Sequence, residues 1–313
     1  MGGETDMSHK HDTWGWMLAV DFFFAGMGGA MLCIAGLVDL FGNQPGISLV
    51  GNFLGPICIG IGACLLILEL GRPFQSWRVF MNPKALLTFG AWNMFIAIVC
   101  GLCYASFGIA GIPWQTAAGL RKVLAVICLV CGLVVATYPG ILLGQHKSRP
   151  FWTGPGMISL FLLSSLVTGF AAHLICGLTT GATGAISLPG AFNGIIAALL
   201  AVQLILWTGY VWGKYVYGTS WEVSATRRWV NGDLSSLFKY GFLLLGTLVP
   251  LILFLWGGNL EVIAAVLVLL GGLLMRRLVI RGGEERTWLP GEKLYYARLP
   301  AGDEDFLKAW DNK

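Results

Sequence analysis

Eight stretches of this chain are each long and apolar enough to cross a bilayer. A helix needs about 20 predominantly apolar residues to span the hydrocarbon core. The qualifying stretches are Trp16–Phe41, Leu49–Leu70, Leu86–Ile109, Val123–Leu143, Pro155–Leu178, Leu188–Trp212, Leu237–Trp256 and Leu260–Ile280. Together they predict an all-α membrane protein of eight transmembrane helices. The last two are parted by little more than Gly257, Gly258 and Asn259, a tight helical hairpin. Composition agrees: 56% of residues are hydrophobic and only 12% charged, against roughly 25% charged in soluble domains. The 44 glycines and 13 tryptophans fit helices packed closely in lipid and anchored at its interfaces. A water-soluble enzyme is excluded, and a net charge of +4 leaves no nucleic-acid footprint. Residues 1–13 are polar and lack the basic region, short apolar core and cleavage site of a signal peptide. The first span is therefore expected to be retained. Asp6 stands where a myristoylation motif needs Ser or Thr. Beyond Arg281, residues 282–313 form a polar tail.

Charge is distributed asymmetrically. The loops after spans two, four and six carry Arg72, Arg78, Lys84, Lys147, Arg149, Lys214, Arg227 and Arg228. The loops after spans one, five and seven carry no Lys or Arg, and the loop after span three has Arg121 and Lys122 at the mouth of span four. An even number of spans puts both termini on the charged face, which the positive-inside rule would make cytoplasmic. A basic surface for docking a partner subunit is the rival explanation.

Ionisable groups in a span are costly and usually face the bundle interior. Asp21 lies about two turns into span one, with Ala25, Gly28 and Gly29 on its face at i+4, i+7 and i+8. This stripe leaves room either for a flat ligand ring or for close helix packing. Glu69 ends span two before Gly71, Arg72 and Pro73, where a Glu–Arg pair could cap the helix. Span three contributes Asn93, and span four carries Tyr138 just before Pro139. Antiparallel helices bring Asp21, Glu69, Asn93 and Tyr138 to one level near one face, with His146 at the adjoining surface. Such convergence between helices is what a ligand pocket requires. Spans five to eight offer His173, Gln203 and Glu261 as their main buried polar groups.

Eight cysteines fall in or at the spans, including the pairs Cys100/Cys103 and Cys128/Cys131 at matching depth. They are read as small packing residues, and no metal site is expected. Of four histidines only His173 lies clearly within a span. A bis-histidine haem needs two, so no haem is expected.

Leu68-Glu69-Leu70-Gly71-Arg72-Pro73, Met81-Asn82-Pro83 and Gly90-Ala91-Trp92 resemble the second and third helices of the NrfD/PsrC family, membrane subunits like those of polysulfide reductase. Thr137-Tyr138-Pro139-Gly140, Arg149-Pro150-Phe151-Trp152 and Ser164-Ser165 resemble its fourth and fifth helices, over a matching stretch of roughly Trp14 to Gly169. The resemblance implies two four-helix bundles (residues 14–148 and 149–281) without haem. It also implies a menaquinone or ubiquinone site in the first bundle. Iron–sulfur clusters and a molybdopterin-type centre would reside only in partner subunits, a ferredoxin-like protein and a catalytic subunit. By this resemblance Tyr138 hydrogen-bonds the quinone, Asp21 stands where members place a polar quinone partner, and Glu69 serves proton delivery. Quinone binding is thus expected at Asp21, Tyr138, Asn93 and Gly28, and proton transfer at Asp21, Glu69 and Arg72. His146 and His173 are secondary candidates. No arginine of the second bundle matches the family pattern, so no proton path is assigned there. The family's quinone site lies on the face where the iron–sulfur subunit docks, often outside the cytoplasm, which conflicts with the positive-inside reading and leaves sidedness open. The expected role is a quinone-reactive subunit of a respiratory complex in a bacterial or archaeal inner membrane, not catalytic alone for the terminal substrate. The alternatives are a secondary transporter, which would place its site at the midplane between two halves, and a purely structural anchor.

Overall fold

The computed structural model describes residues 15–42, 48–69, 77, 79–82, 85–146, 148–154, 156–180, 188–258 and 260–283. The regular elements among them are all helical: α1 (Trp16–Gly42), α2 (Leu49–Glu69), α3 (Leu86–Ser106), α4 (Ala118–Gly144), α5 (Gly156–Thr180), α6 (Leu188–Tyr217), α7 (Ser220–Val230), α8 (Leu237–Trp256) and α9 (Glu261–Gly282). All but α7 are long and apolar enough to cross a membrane, giving eight candidate spans among the described residues. The ends shift by a few residues from the sequence expectation. The largest shift at a start is in α4, which begins at Ala118 rather than Val123. Arg121 therefore lies on the helix, where its Nε meets the buried Asp39 of α1 at 3.2 Å. Tyr104 of α3 donates its hydroxyl to the same carboxylate at 3.0 Å.

The first helix is the axis of the fold. It packs against α2, α4, α5 and α9, and most of its residues are buried. Its glycines explain how neighbours approach on several sides. A Cβ on Gly28 would come within 2.4 Å of the Gly55 carbonyl of α2, and one on Gly29 within 2.8 Å of the Gly132 carbonyl of α4. The small-residue stripe after Asp21 is thus packed against helix backbones at Gly28 and Gly29.

Two features had no counterpart in the hydropathy pattern. Residues Leu237–Leu248, the first twelve of α8, are wound as a π-helix before tightening at Val249–Trp256. The polar helix α7 starts with a capping box, in which Thr219 and Glu222 satisfy each other's backbone N–H groups. Lys214 of α6 ties α7 to the α4–α5 loop, donating to Glu222 Oε1 at 2.7 Å and to the carbonyls of Pro150 and Thr153 at 2.8 and 2.9 Å. Burial pushes the Glu222 carboxyl up, but the Lys214 bond and the Thr219 contacts outweigh it and hold it below the usual range. Behind this loop, Trp229 of α7 stacks on Phe151 at 4.3 Å and on Trp207 of α6 at 5.8 Å. That aromatic cluster gives the basic face a rigid floor.

Candidate functional site

Asp21 and Tyr138 meet in one small pocket between α1 and α4, walled by Ala25, Leu66, Met94, Val135 and Leu142. Both side chains are buried, Asp21 with 2% and Tyr138 with 7% of its surface exposed. Among the described residues, neither Asp21 Oδ1 nor the Tyr138 hydroxyl has a hydrogen-bond partner. A buried polar atom left unpaired costs about 1–3 kcal/mol, and two such atoms share this apolar pocket.

Neighbouring helices hold both groups in place through missing side chains. A Cβ on Gly62 of α2 would stand 2.9 Å from Asp21 Oδ1. One on Gly90 of α3 would stand 2.4 Å from Tyr138 Cζ, so the phenol ring lies flat on bare α3 backbone. Pro139 follows Tyr138 within α4 and withdraws one helical N–H from the pocket wall.

Glu69 sits at the α1 end of this arrangement. Its Oε1 accepts from the Gly15 backbone N–H at 3.2 Å, at the positive end of the α1 dipole, while Oε2 is buried without a partner. Gly15 and Asp21 are separated by roughly 9 Å of helix rise. Glu69 thus stands between the pocket and the end of the bundle.

Other expected site residues lie elsewhere. Asn93 donates Nδ2 to Phe89 O of its own helix at 2.8 Å and is not among the residues lining the Asp21–Tyr138 pocket. One helical position turns a side chain by about 100°, so matching depth did not bring a matching direction. His173 is fully buried across the fold from Asp21, with Nε2 on the Met31 carbonyl at 2.9 Å and its Nδ1 over Gly51. His146 lies past the end of α4 with its ring 6.1 Å from that of Trp152. Burial, and then the Arg149 charge, push the His146 imidazole below its ordinary 6.5. Arg72 lies outside the described residues. Gln203 reaches Thr247 at 3.4 Å, and Glu261 accepts from Asn193 at 2.6 Å. No group of three or more His, Cys, Asp or Glu side chains among the described residues is arranged to hold a metal ion.

The second half of the sequence holds a group that sequence reasoning passed over. Arg276 of α9 is fully buried. Its Nε donates to Phe22 O at 2.9 Å, Nη1 to Ser164 Oγ and Gly272 O at 3.1 and 2.9 Å, and Nη2 to Ser165 Oγ at 3.1 Å. Ser165 in turn donates to Ala136 O of α4 at 3.3 Å. The guanidinium therefore grips α1 one residue after Asp21 and, through α5, α4 two residues before Tyr138. An arginine inside the last span was the available signal. Gly90 was the other residue missed, hidden inside a run of apolar side chains.

A family model described as "Polysulphide reductase, NrfD" matches residues 4–286. The C subunit of polysulfide reductase from Wolinella succinogenes is 26% identical over 260 residues, covering 77% of this protein and 82% of the relative. Protein NrfD of Escherichia coli is 22% identical over 294 residues, covering 86% and 92%. With eight apolar spans and a match along nearly its whole length, this chain is a multi-pass protein of the bacterial inner membrane that belongs to the NrfD polysulphide reductase family.

Proposed function

We propose that this protein is the quinone-reactive membrane subunit of a respiratory oxidoreductase complex, binding the quinone ring between Asp21 and Tyr138. The carrying observation is the pair of unpartnered polar atoms, Asp21 Oδ1 and the Tyr138 hydroxyl, buried in one otherwise apolar pocket on two facing helices. A quinol ring carries two hydroxyls on an apolar frame and would supply partners to both, one donating to the Asp21 carboxylate and one accepting from Tyr138. Tyr138 donates to one ring oxygen. Asp21, as carboxylate, takes the two protons of the quinol in turn, passing the first toward Glu69 before accepting the second, or returns them in the reverse direction. Oxidising one quinol releases two electrons and two protons. The electrons pass to an iron–sulfur subunit docked on the basic face and on to a catalytic subunit of molybdopterin or related type. The protons leave past Glu69, which stands toward the end of the bundle. In this reading α1–α4 form the quinone-holding bundle, and α5, α6, α8 and α9 form a second bundle that braces it through Arg276.

The test is purification from mild detergent followed by quinol-linked turnover. Co-purification with an iron–sulfur subunit and a bound quinone is expected. Tyr138→Phe and Asp21→Asn should each lower turnover about 100-fold, the usual scale for a lost proton-transfer group, with the complex still assembled. A protein that purifies alone and drives ion-coupled uptake of a solute would overturn the proposal.

A further inference from the structure

We propose that the quinone enters this pocket sideways from the lipid, through a crevice between α2 and α3 gated by Leu66 and Met94, and that its isoprenoid tail remains in that crevice. The inference rests on the quinone reading of the Asp21–Tyr138 pocket.

The pocket itself is too small for a ring. Its free space is about 10 Å³, no more than a single water needs, so some wall must move before a ring fits. Three sides are packed. Asp21 backs onto Gly62 and Tyr138 onto Gly90. On the α4 side, Gly140 abuts the backbone of Met157 and Ile158 in α5, and Phe22 meets Phe161 edge-on at 6.0 Å. The remaining side holds Leu66 and Met94. Both residues also line a second cavity of about 180 Å³, whose walls are apolar throughout and include Ala63, Ile67, Ala91 and Phe95. These two side chains are shared by the walls of both spaces.

The chemistry of the crevice selects its occupant. Its lining offers no polar side chain, so a polar substrate gains nothing there, whereas a branched hydrocarbon tail fills it favourably. Phe80 and Phe95, which line it, flank Trp92 edge-on at 5.2 and 6.1 Å. Phe95 and Trp92 are about half exposed on the outer side of α3, so the crevice opens toward lipid. Met94 is suited to a gate: it is unbranched, turns about three side-chain bonds and repacks at little cost. With the ring inside, Met94 and Leu66 would close against the first isoprene unit.

The test uses the complex in lipid nanodiscs and a menaquinone analogue with a diazirine on its tail. After irradiation, peptides containing Ile67 and Phe95 should carry the label, and excess menaquinone should displace it. In Ala91→Phe, and in Ala63→Phe on the opposite helix, the filled crevice should raise KM for full-length menaquinol about tenfold with kcat within about twofold. Label confined to other helices, an unchanged KM in both variants, or crevice label that menaquinone fails to displace (an ordinary lipid acyl tail) would overturn the route. Absence of any menaquinone-displaceable label anywhere would instead remove the quinone reading beneath it.

Discussion

Arg276 and Asp21 are ionisable side chains buried at neighbouring levels of α1, and the protein treats them in opposite ways. Arg276 has its guanidinium donors taken up by two serine hydroxyls and two carbonyls from three helices. Asp21 has an oxygen, Oδ1, with no hydrogen-bond partner. Burying a satisfied charge rigidifies the fold, whereas burying an unsatisfied one costs stability. The contrast separates a clasp from the group proposed to bind quinone without reference to either residue's type. A third case supports it. Asp39 lies 18 residues after Asp21, about five helical turns along the same face of α1 and roughly 27 Å away. Its Oδ2 meets both the Arg121 guanidinium and the Tyr104 hydroxyl, so its charge is countered within the fold. Between the two carboxylates runs an apolar cluster containing Ala25, Leu32 and Ala35.

The strongest challenge to this contrast is Arg276→Met. It should lower unfolding stability by about 3 kcal/mol, because the serine and carbonyl acceptors lose a charged donor, and Arg276→Lys should recover part of that loss. A thermal melt of the detergent-solubilised protein reads the effect, and a neutral result would end the clasp interpretation. Next in size is Asp39→Asn, expected to cost about 2 kcal/mol by removing the buried carboxylate that Arg121 and Tyr104 face while turnover stays normal. Asp21→Asn should do the reverse, keeping or raising the melting temperature while turnover collapses. Loss of stability in both variants would erase the distinction. Gly90→Ala should cost about 1–2 kcal/mol through overpacking and, by pushing the Tyr138 ring off α3, raise the quinol KM more than a stability defect alone explains. The smallest effect concerns pH. The His146 imidazole is held below 6.5 in the fold, first by burial and then by Arg149. As pH falls below 6.5 the unfolded state takes up a proton that the folded one resists, so stability declines toward the folded value. His146→Gln should flatten that slope between about pH 7.5 and 5.5 in thermal melts.

The spans were readable because lipid imposes a length and an apolarity that few other environments demand. Asp21 and Tyr138 stood out because a carboxylate and a proline-flanked phenol inside apolar runs have few inexpensive places to go. Direction around the helix was not readable. Asn93 lies close in sequence to Gly90, yet Gly90 touches the Tyr138 ring while Asn93 turns back to Phe89. Hydropathy also says nothing about helix pitch, so the π-helical Leu237–Leu248 passed as ordinary helix. The capped, amphipathic α7 was too polar to register as a span and too short to draw notice among basic loop residues. Arg276 escaped because its donors are satisfied by residues 111 to 254 positions away, as well as by Gly272 on its own helix.

That last separation bears on how the protein is made. Phe22 emerges from the ribosome near the start of synthesis, and the arginine that grips its carbonyl emerges 254 residues later. The axial helix must wait in the bilayer, packed on α2 and α4 but with the Phe22 carbonyl unmet, until the final span arrives. The last helix therefore acts as the closing step of assembly, and a protein stopped after α8 should insert all its earlier spans yet remain a target for membrane proteases. Pulse-chase turnover of such a truncation, compared with the full-length protein, measures how much of the molecule's persistence is decided by the span that is made last.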